Sequence, residues 1–294
     1  MENKTVNLST HPKKRKSRMK DVWIRLRRSK LAMLGLAILV LLILVAIFAD
    51  FIAPYDYAEQ DLMNSLQKPS SAHLMGTDEF GRDIFSRLVY GSRISLIVGF
   101  IAVGISVILG GSLGAIAGYF GGRVDQIIMR FMDILLAIPA ILLSIAVLAA
   151  LGPGLFNLMI ATGISAMPGY ARIVRASVLS VKEQEFVEAA RAVGAGNAQI
   201  IVKHIIPNSL APLIVQATLG ISSAILTAAS LSFLGLGITP PTPEWGAMLS
   251  GGRSFIRDYS YITFFPGLAI AITIFALNVL GDGLRDALDP KLKN

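Results

Sequence analysis

Side chains of the kind that make or break bonds are few in this sequence, and they are scattered. There is no cysteine, which excludes disulfides, thiolate zinc sites, iron–sulfur clusters and cysteine nucleophiles. The three histidines, His11, His73 and His204, sit in separate regions without metal-ligand spacing, so no nickel or haem site is expected from this chain alone. Asp78 and Glu79 are adjacent carboxylates of the type that holds a metal or shares a proton. Arg82 follows at helical spacing from both, however, and a local ion pair is the better reading. No Gly-x-x-x-x-Gly-Lys-Ser/Thr loop occurs, so the chain is not expected to bind a nucleotide. These residues predict a non-catalytic protein with no cofactor and no metal of its own.

The elements that hold them are those of a membrane protein. Of 294 residues, 54% are hydrophobic and 16% charged, against roughly 25% charged in soluble domains. So little polar surface cannot cover a water-soluble globule, and so much apolar surface excludes disorder. Six long stretches read as transmembrane helices: 31–49, 94–122, 127–151, 152–171, 205–243 and 259–281. The first competes with a signal peptide, but it is long for one and no small-x-small cleavage site follows it. The expected division is a basic N-terminal segment (1–30), a first helix (31–53), an extracytoplasmic segment (54–93), a five-helix core (94–282) with a large loop (172–208), and a tail (283–294).

Charge gives the orientation. Net charge is +8, yet residues 1–30 alone hold eleven Lys/Arg against Glu2 and Asp21. The run Pro12-Lys13-Lys14-Arg15-Lys16 resembles a nucleic-acid patch, but with a membrane span following at once it reads as a cytoplasmic anchor. The rest of the chain has no net positive charge, so no nucleic-acid partner is expected. With both termini cytoplasmic, 21 Lys/Arg fall inside and 6 outside, the positive-inside bias. Ionisable residues are nearly absent from mid-span. That argues against an ion-coupled carrier or channel, whose driving ion must bind at membrane depth.

Within the second span, Ser106, Gly110, Gly114 and Gly118 recur every four residues, a row that lets another helix approach closely in lipid. Trp23, Trp245, Tyr55, Tyr57, Tyr90, Tyr259 and Tyr261 lie near span ends and read as interfacial anchors first, substrate contacts second. Asn157, Asn278, Ser144, Thr162, Ser165 and Thr227 either line a polar pathway or bond between helices.

The polar loop 172–208 predicts two short amphipathic helices. Phe186, Ala189, Ala190 and Val193 share one face, and Ala198, Ile201, Val202 and Ile205 the other. Gly194 and Gly196 separate them, Asn197 is placed as N-cap, and Pro207 marks the start of the fifth span. Such a pair either lies on the bilayer or docks a soluble partner.

Glu188-Ala189-Ala190, then Gly194, then Pro207 thirteen residues later, resembles the EAA loop of ABC importer permeases. His204 stands where that family usually has Ile. Three further motifs match its oligopeptide/dipeptide/nickel branch. They are His73-Leu74-Met75-Gly76-Thr77-Asp78-Glu79-Phe80-Gly81-Arg82-Asp83, Leu231-Ser232-Phe233-Leu234-Gly235-Leu236-Gly237, and Gly281-Asp282-Gly283-Leu284-Arg285-Asp286-Ala287-Leu288-Asp289-Pro290. The resemblance runs from about Leu31 to the C-terminus and is closest to the C-type permease subunit. It implies an all-α polytopic membrane protein of the type I importer permease fold, with six transmembrane helices, in the bacterial inner membrane. The implied partners are a homologous second permease, two cytoplasmic ATPase subunits and an extracytoplasmic solute-binding protein. ATP and magnesium belong to the ATPase subunits. Glu185, Phe186, Glu188, Ala189, Ala190, Arg191, Gly194 and Pro207 become the ATPase-coupling residues. The implied cargo is di- or oligopeptide, with nickel, metal chelates or glutathione as alternatives. A carrier, a channel or a scaffold without a transport role is a more distant reading.

Overall fold

In a lipid environment apolar side chains gain little by leaving one another's company, so helices pair where their backbones can come close. The computed structural model describes residues 18–288; His11, the run 12–16, Asp289, Pro290, Lys291 and Lys293 lie outside the described residues. Among the described residues the chain is helical without a strand, apart from one β-bridge between Thr77 and Asp83. In order these are α1 (Arg18–Leu26), α2 (Lys30–Ile47), α3 (Ala49–Ile52), α4 (Ile84–Phe120), α5 (Gly122–Leu136) and α6 (Ala140–Leu151). Then come α7 (Leu155–Lys182), α8 (Glu185–Ala192), α9 (Asn197–Ile200), a π-helical stretch (Ile201–Ile205), α10 (Ile206–Phe233), α11 (Trp245–Gly252) and α12 (Tyr261–Leu288).

Helix starts are set by short polar side chains. Ser29 accepts from the Ala32 amide at the start of α2, and Asp83 from the Ser86 amide at the start of α4. Glu244 accepts from the Gly246 and Ala247 amides at the start of α11. Each satisfies donors that a first helical turn leaves free.

The central pair is α4 with α7. A Cβ at Gly110 would collide with the Met167 carbonyl oxygen, at Gly114 with that of Ala171, and at Gly118 with that of Arg175. From α7, Gly163 makes the reciprocal approach to the Ala102 carbonyl. Ser106 closes the row by donating to the Gly163 carbonyl at 2.7 Å. Around this pair, α2, α10 and α12 share one buried cluster with α4 and α7, including Leu39, Leu96, Tyr170, Ile225 and Leu277. A second cluster joins α4, α6, α7 and α10 through Val98, Leu148, Leu158 and Leu231.

Four helices are long and apolar enough to cross a membrane, α2, α4, Asn197–Phe233 and α12, and the pair α5 and α6, taken as one broken span, makes a fifth. The stretch 127–151 is thus not one straight helix: α5 and α6 are bent by 93°. Pro139 is the cause. It begins α6 in an extended conformation and keeps the preceding residue out of helical geometry. Helix α7, which holds the fourth expected span, is long but less apolar, carrying Asn157, Arg172, Arg175 and Lys182 along its length. Its Ser165 hydroxyl meets that of Ser144 on α6, and twelve of its residues are buried.

Pro207 stands in the first turn of α10, as expected, but helical backbone also precedes it, so the long apolar run extends back to Asn197. A proline ring in an α-helix clashes with the carbonyl four residues back. The π-helical stretch just before it, where the Ile206 amide bonds to the Ile201 carbonyl, widens the turn and absorbs the misfit. Residues 84–93, the last part of the segment expected outside the membrane, are helical and form the first turns of α4.

Substituting Gly114 by Val should therefore destabilise the protein by about 1–3 kcal/mol or more through overpacking. Gly104→Ala, where a Cβ meets nothing within 4 Å, should be neutral. Thermal unfolding midpoints of the two purified variants check this; equal midpoints would contradict it.

Candidate functional site

The glycine-paired core carries α8 and α9 at one end. After α7, the chain turns and α8 runs for eight residues with Glu185 and Glu188 in its first turn and Arg191 in its last, a charge order that suits the helix dipole. It ends in a Schellman turn. The Ala195 amide reaches the Ala190 carbonyl and the Gly194 amide that of Arg191, with Gly194 at φ +82°. That conformation costs an L-residue roughly 1–2 kcal/mol and a glycine almost nothing.

The buried side of α8 is Val187, 0% exposed, with Ala190 beside it. They pack against Ala115 and Tyr119 of α4 and Val174 and Val178 of α7. The amphipathic face expected from spacing is thus shifted: Phe186 is 42% and Val193 84% exposed, and Ala189 is exposed too. Small Val187 and Ala190 fit between α4 and α7, while the bulkier apolar side chains project outward beside Glu185 and Glu188. The side chain of Glu188 has no ion-pair partner among the described residues. Arg191 does not pair with it; its guanidinium lies 5.7 Å from the Tyr119 ring centre, a cation–π contact. Asn197 is not the N-cap. Gly196 holds that position, and the Asn197 side chain instead accepts from the Tyr119 hydroxyl at 2.7 Å. Phe186 reaches the His204 ring, and the His204 carbonyl accepts from the Asn208 amide group. Pro207 is exposed. Lys182 donates to the Gly118 carbonyl, tying the last turn of α7 to the end of α4. The Asp125–Arg175 pair at 2.5 Å links α5 to α7.

At the opposite end of α4, residues 54–83 fold into a cap. Asp78 accepts from Arg82 Nε at 2.6 Å and lies 3.5 Å from Arg87 Nε; Glu79 is 3.8 Å from Arg82. Arg87 also donates to the carbonyls of Tyr57 and Pro241, joining the cap to the segment before α11. Asp78, Arg82 and Arg87 are all buried, so the ion pair inferred from their spacing is an interior structural link. His73 bonds Asp83 at 3.0 Å and stacks on Tyr55. Arg93 bonds Asp50 and the Ala46 carbonyl, and its hydrogen bond holds the Asp50 carboxyl below the usual carboxylate range. Among the described residues no three His, Asp or Glu side chains gather as a metal site.

Trp245 corrects another expectation. It is 1% exposed, donates from its indole N–H to the Leu88 carbonyl at 3.0 Å, and packs on Gly91. It is a core residue, whereas Trp23 is exposed. Several of the polar residues left between two roles prove to be bonded within the bundle. Ser144 pairs with Ser165, Asn278 with Ser222, and Asn157 with the carbonyls ending α6. Thr162 is buried without a partner. An apolar groove of about 390 Å³, missed by sequence reasoning, lies among Ile141, Leu226, Phe233, Leu249 and Ile270. Its walls come from α6, α10, α11 and α12, a juxtaposition that no single segment's spacing announces.

The helical architecture is shared with known transporters. Two inward-facing structures of the MetNI methionine ABC transporter match with TM-scores of 0.56 and 0.58 at 20% identity, over 69% and 70% of this chain and 96% and 98% of theirs. Residues 110–294 match the family of binding-protein-dependent transport system inner membrane components, and residues 17–69 the N-terminal transmembrane domain of oligopeptide transport permease C. The chain belongs to this permease family and is a multi-pass inner-membrane subunit of an ABC importer, a class that works with an ATPase and further subunits. Its relatives include the dipeptide transport permease DppC of Alkalihalophilus pseudofirmus, 52% identical over 94% of this chain and 90% of that protein. The di/tripeptide permease DppC of Pseudomonas aeruginosa is 48% identical over 95% and 94%. The glutathione permease GsiD of Pectobacterium atrosepticum is 46% identical over 94% and 92%.

Asp78→Ala should cost about 3–5 kcal/mol, because it removes the carboxylate that two buried guanidinium groups share. Glu79→Ala, at a longer and more exposed pair, should cost at most about 1 kcal/mol. Urea unfolding of both variants measures the difference; similar midpoints would contradict the assignment.

Proposed function

We propose that this chain is one of two homologous permeases of an ATP-driven importer for di- and tripeptides, six-spanning, with both termini and α8 in the cytoplasm. Its partners in this reading are a second permease, two ATPase subunits below and a solute-binding protein outside, with ATP and magnesium held by the ATPase. The observation that carries it is the agreement of relatives over nearly the whole chain, at 45–52% identity, on dipeptide or di/tripeptide transport. The glutathione permeases, 46–48% identical, favour a second reading of the same machine with a peptide-like thiol as cargo.

The mechanism follows from what is exposed and what is anchored. Glu185, Phe186, Glu188, Ala189, Arg191 and the Gly194 turn form the surface presented to the ATPase, and Ala190 with Val187 seats that surface on α4 and α7. ATP closes the ATPase dimer, the groove receiving α8 moves, and α4 and α7 move with it. A bias of a few kcal/mol is enough to exchange an inward-open for an outward-open population. The apolar groove beside α10 and α12 forms part of this chain's half of the pathway.

In the complete transporter reconstituted in vesicles, Glu188→Arg and Gly194→Val should each abolish ATP-driven dipeptide uptake while ATP hydrolysis continues. Unimpaired uptake in both would refute the coupling assignment. Competition between labelled dipeptide and glutathione decides the cargo: displacement by dipeptide alone supports the first reading, displacement by glutathione alone the second.

A further inference from the structure

Helix α1 turns one side to the protein and the other to its surroundings. Leu26 is buried with Val22 packed beside it, and Gly283 of α12 leaves the space that Leu26 approaches. The opposite side carries Trp23 and Ile24, 46% and 50% exposed. Lys20, Arg27 and Arg28 are exposed around them, and Lys30 is exposed at the start of α2. Asp21 and Arg25 are half-buried, and Arg25 is already engaged. On the adjoining helix Asp282 and Asp286 are exposed, with Arg285 between them.

An indole and an isoleucine ringed by cations, within one helical turn of a membrane span, match the chemistry of one surface. The ring and alkyl chain suit the glycerol layer of a bilayer, and the cations suit phosphate groups just above it. A protein partner is the poorer fit. Two apolar side chains fall far short of the roughly 1,000 Å² that a specific interface buries. A lipid surface needs no such area, because α2 already holds the chain in the bilayer.

We propose that α1 is a docking strip for anionic phospholipid. Lys20, Arg27, Arg28 and Lys30 hold the headgroups, and Trp23 and Ile24 sit in the interfacial layer. The inference rests on α2 as a membrane span and not on the cargo or the coupling contacts. Each cation near an anionic surface strengthens the association about fivefold, within a screening length that shrinks to about 3 Å at 1 M salt.

The test places the full chain in nanodiscs containing dibrominated phosphatidylglycerol or dibrominated phosphatidylcholine at equal mole fraction. Tryptophan quenching is then read. The other tryptophan, Trp245, is buried, and a Trp23→Phe variant gives its share. Trp23 should be quenched by both lipids and about twofold more by the anionic one. The excess should vanish in high salt and in the triple variant Lys20→Gln, Arg27→Gln, Arg28→Gln. Should that variant not express, the salt titration of the unchanged chain decides alone. Equal quenching by both lipids would overturn the proposal, leaving only a neutral anchor. So would an excess insensitive to salt, or no quenching at all, which would place α1 against water or protein.

Discussion

The contact between the backbones of α4 and α7 is the constraint from which the remaining geometry follows. Three glycines and a serine bring one helix so close to the other that carbonyl oxygens of α7 occupy the places of missing side chains. In a membrane this close fit replaces the hydrophobic drive that would join two helices in water. It also fixes where the far ends of the two helices stand. Ala115, Tyr119, Val174 and Val178 form a saddle there, and the small residues Val187 and Ala190 seat α8 upon it. A side chain anywhere in the glycine row would move that saddle and the charged surface it supports.

The other end of α4 is held by different physics. Buried Arg82 and Arg87 meet Asp78, and Arg87 reaches two carbonyls from segments distant in the chain. Such a cluster is expensive to assemble and more expensive to break, so it gives the cap one geometry. Glu244 and Trp245 add polar bonds from α11 to Ser95 and Leu88 on the same helix. Helix α4 therefore joins a polar, hydrogen-bonded cap at one end to an apolar saddle at the other.

Composition and long uncharged runs were enough to read a helical membrane protein, and the four-residue glycine period pointed to close packing because one helix face is a local property of sequence. The Gly194 turn and the Asp78–Arg82 pair were legible for the same reason. What escaped was set by tertiary contact. The inward face of α8 is Val187 and Ala190, not the larger Phe186 and Val193, because the saddle admits small side chains and leaves the large ones exposed. Asn197 left its expected capping role because the Tyr119 hydroxyl, far off in sequence, offered a bond. Trp245 looked like an interfacial anchor by position, yet Gly91 and the Leu88 carbonyl make an interior site for it. Pro207 does mark the start of α10; what escaped was the π-helical stretch ahead of it, which carries helical backbone back past the proline.

The central claim is that α8 moves as one body with α4, so that a push on its charged face becomes motion of the bundle. The chain has no cysteine, so cysteines placed at Val193 and Gly104 would carry this chain's only thiol-directed spin labels. Val193 is 84% exposed on the α8 turn, and a Cβ at Gly104 on α4 meets nothing within 4 Å. The label-to-label distance in the assembled transporter should be the same without nucleotide and with ATP trapped in the ATPase. A distance that changes between the two states would show α8 sliding over α4, and transmission through the glycine-paired core would be contradicted.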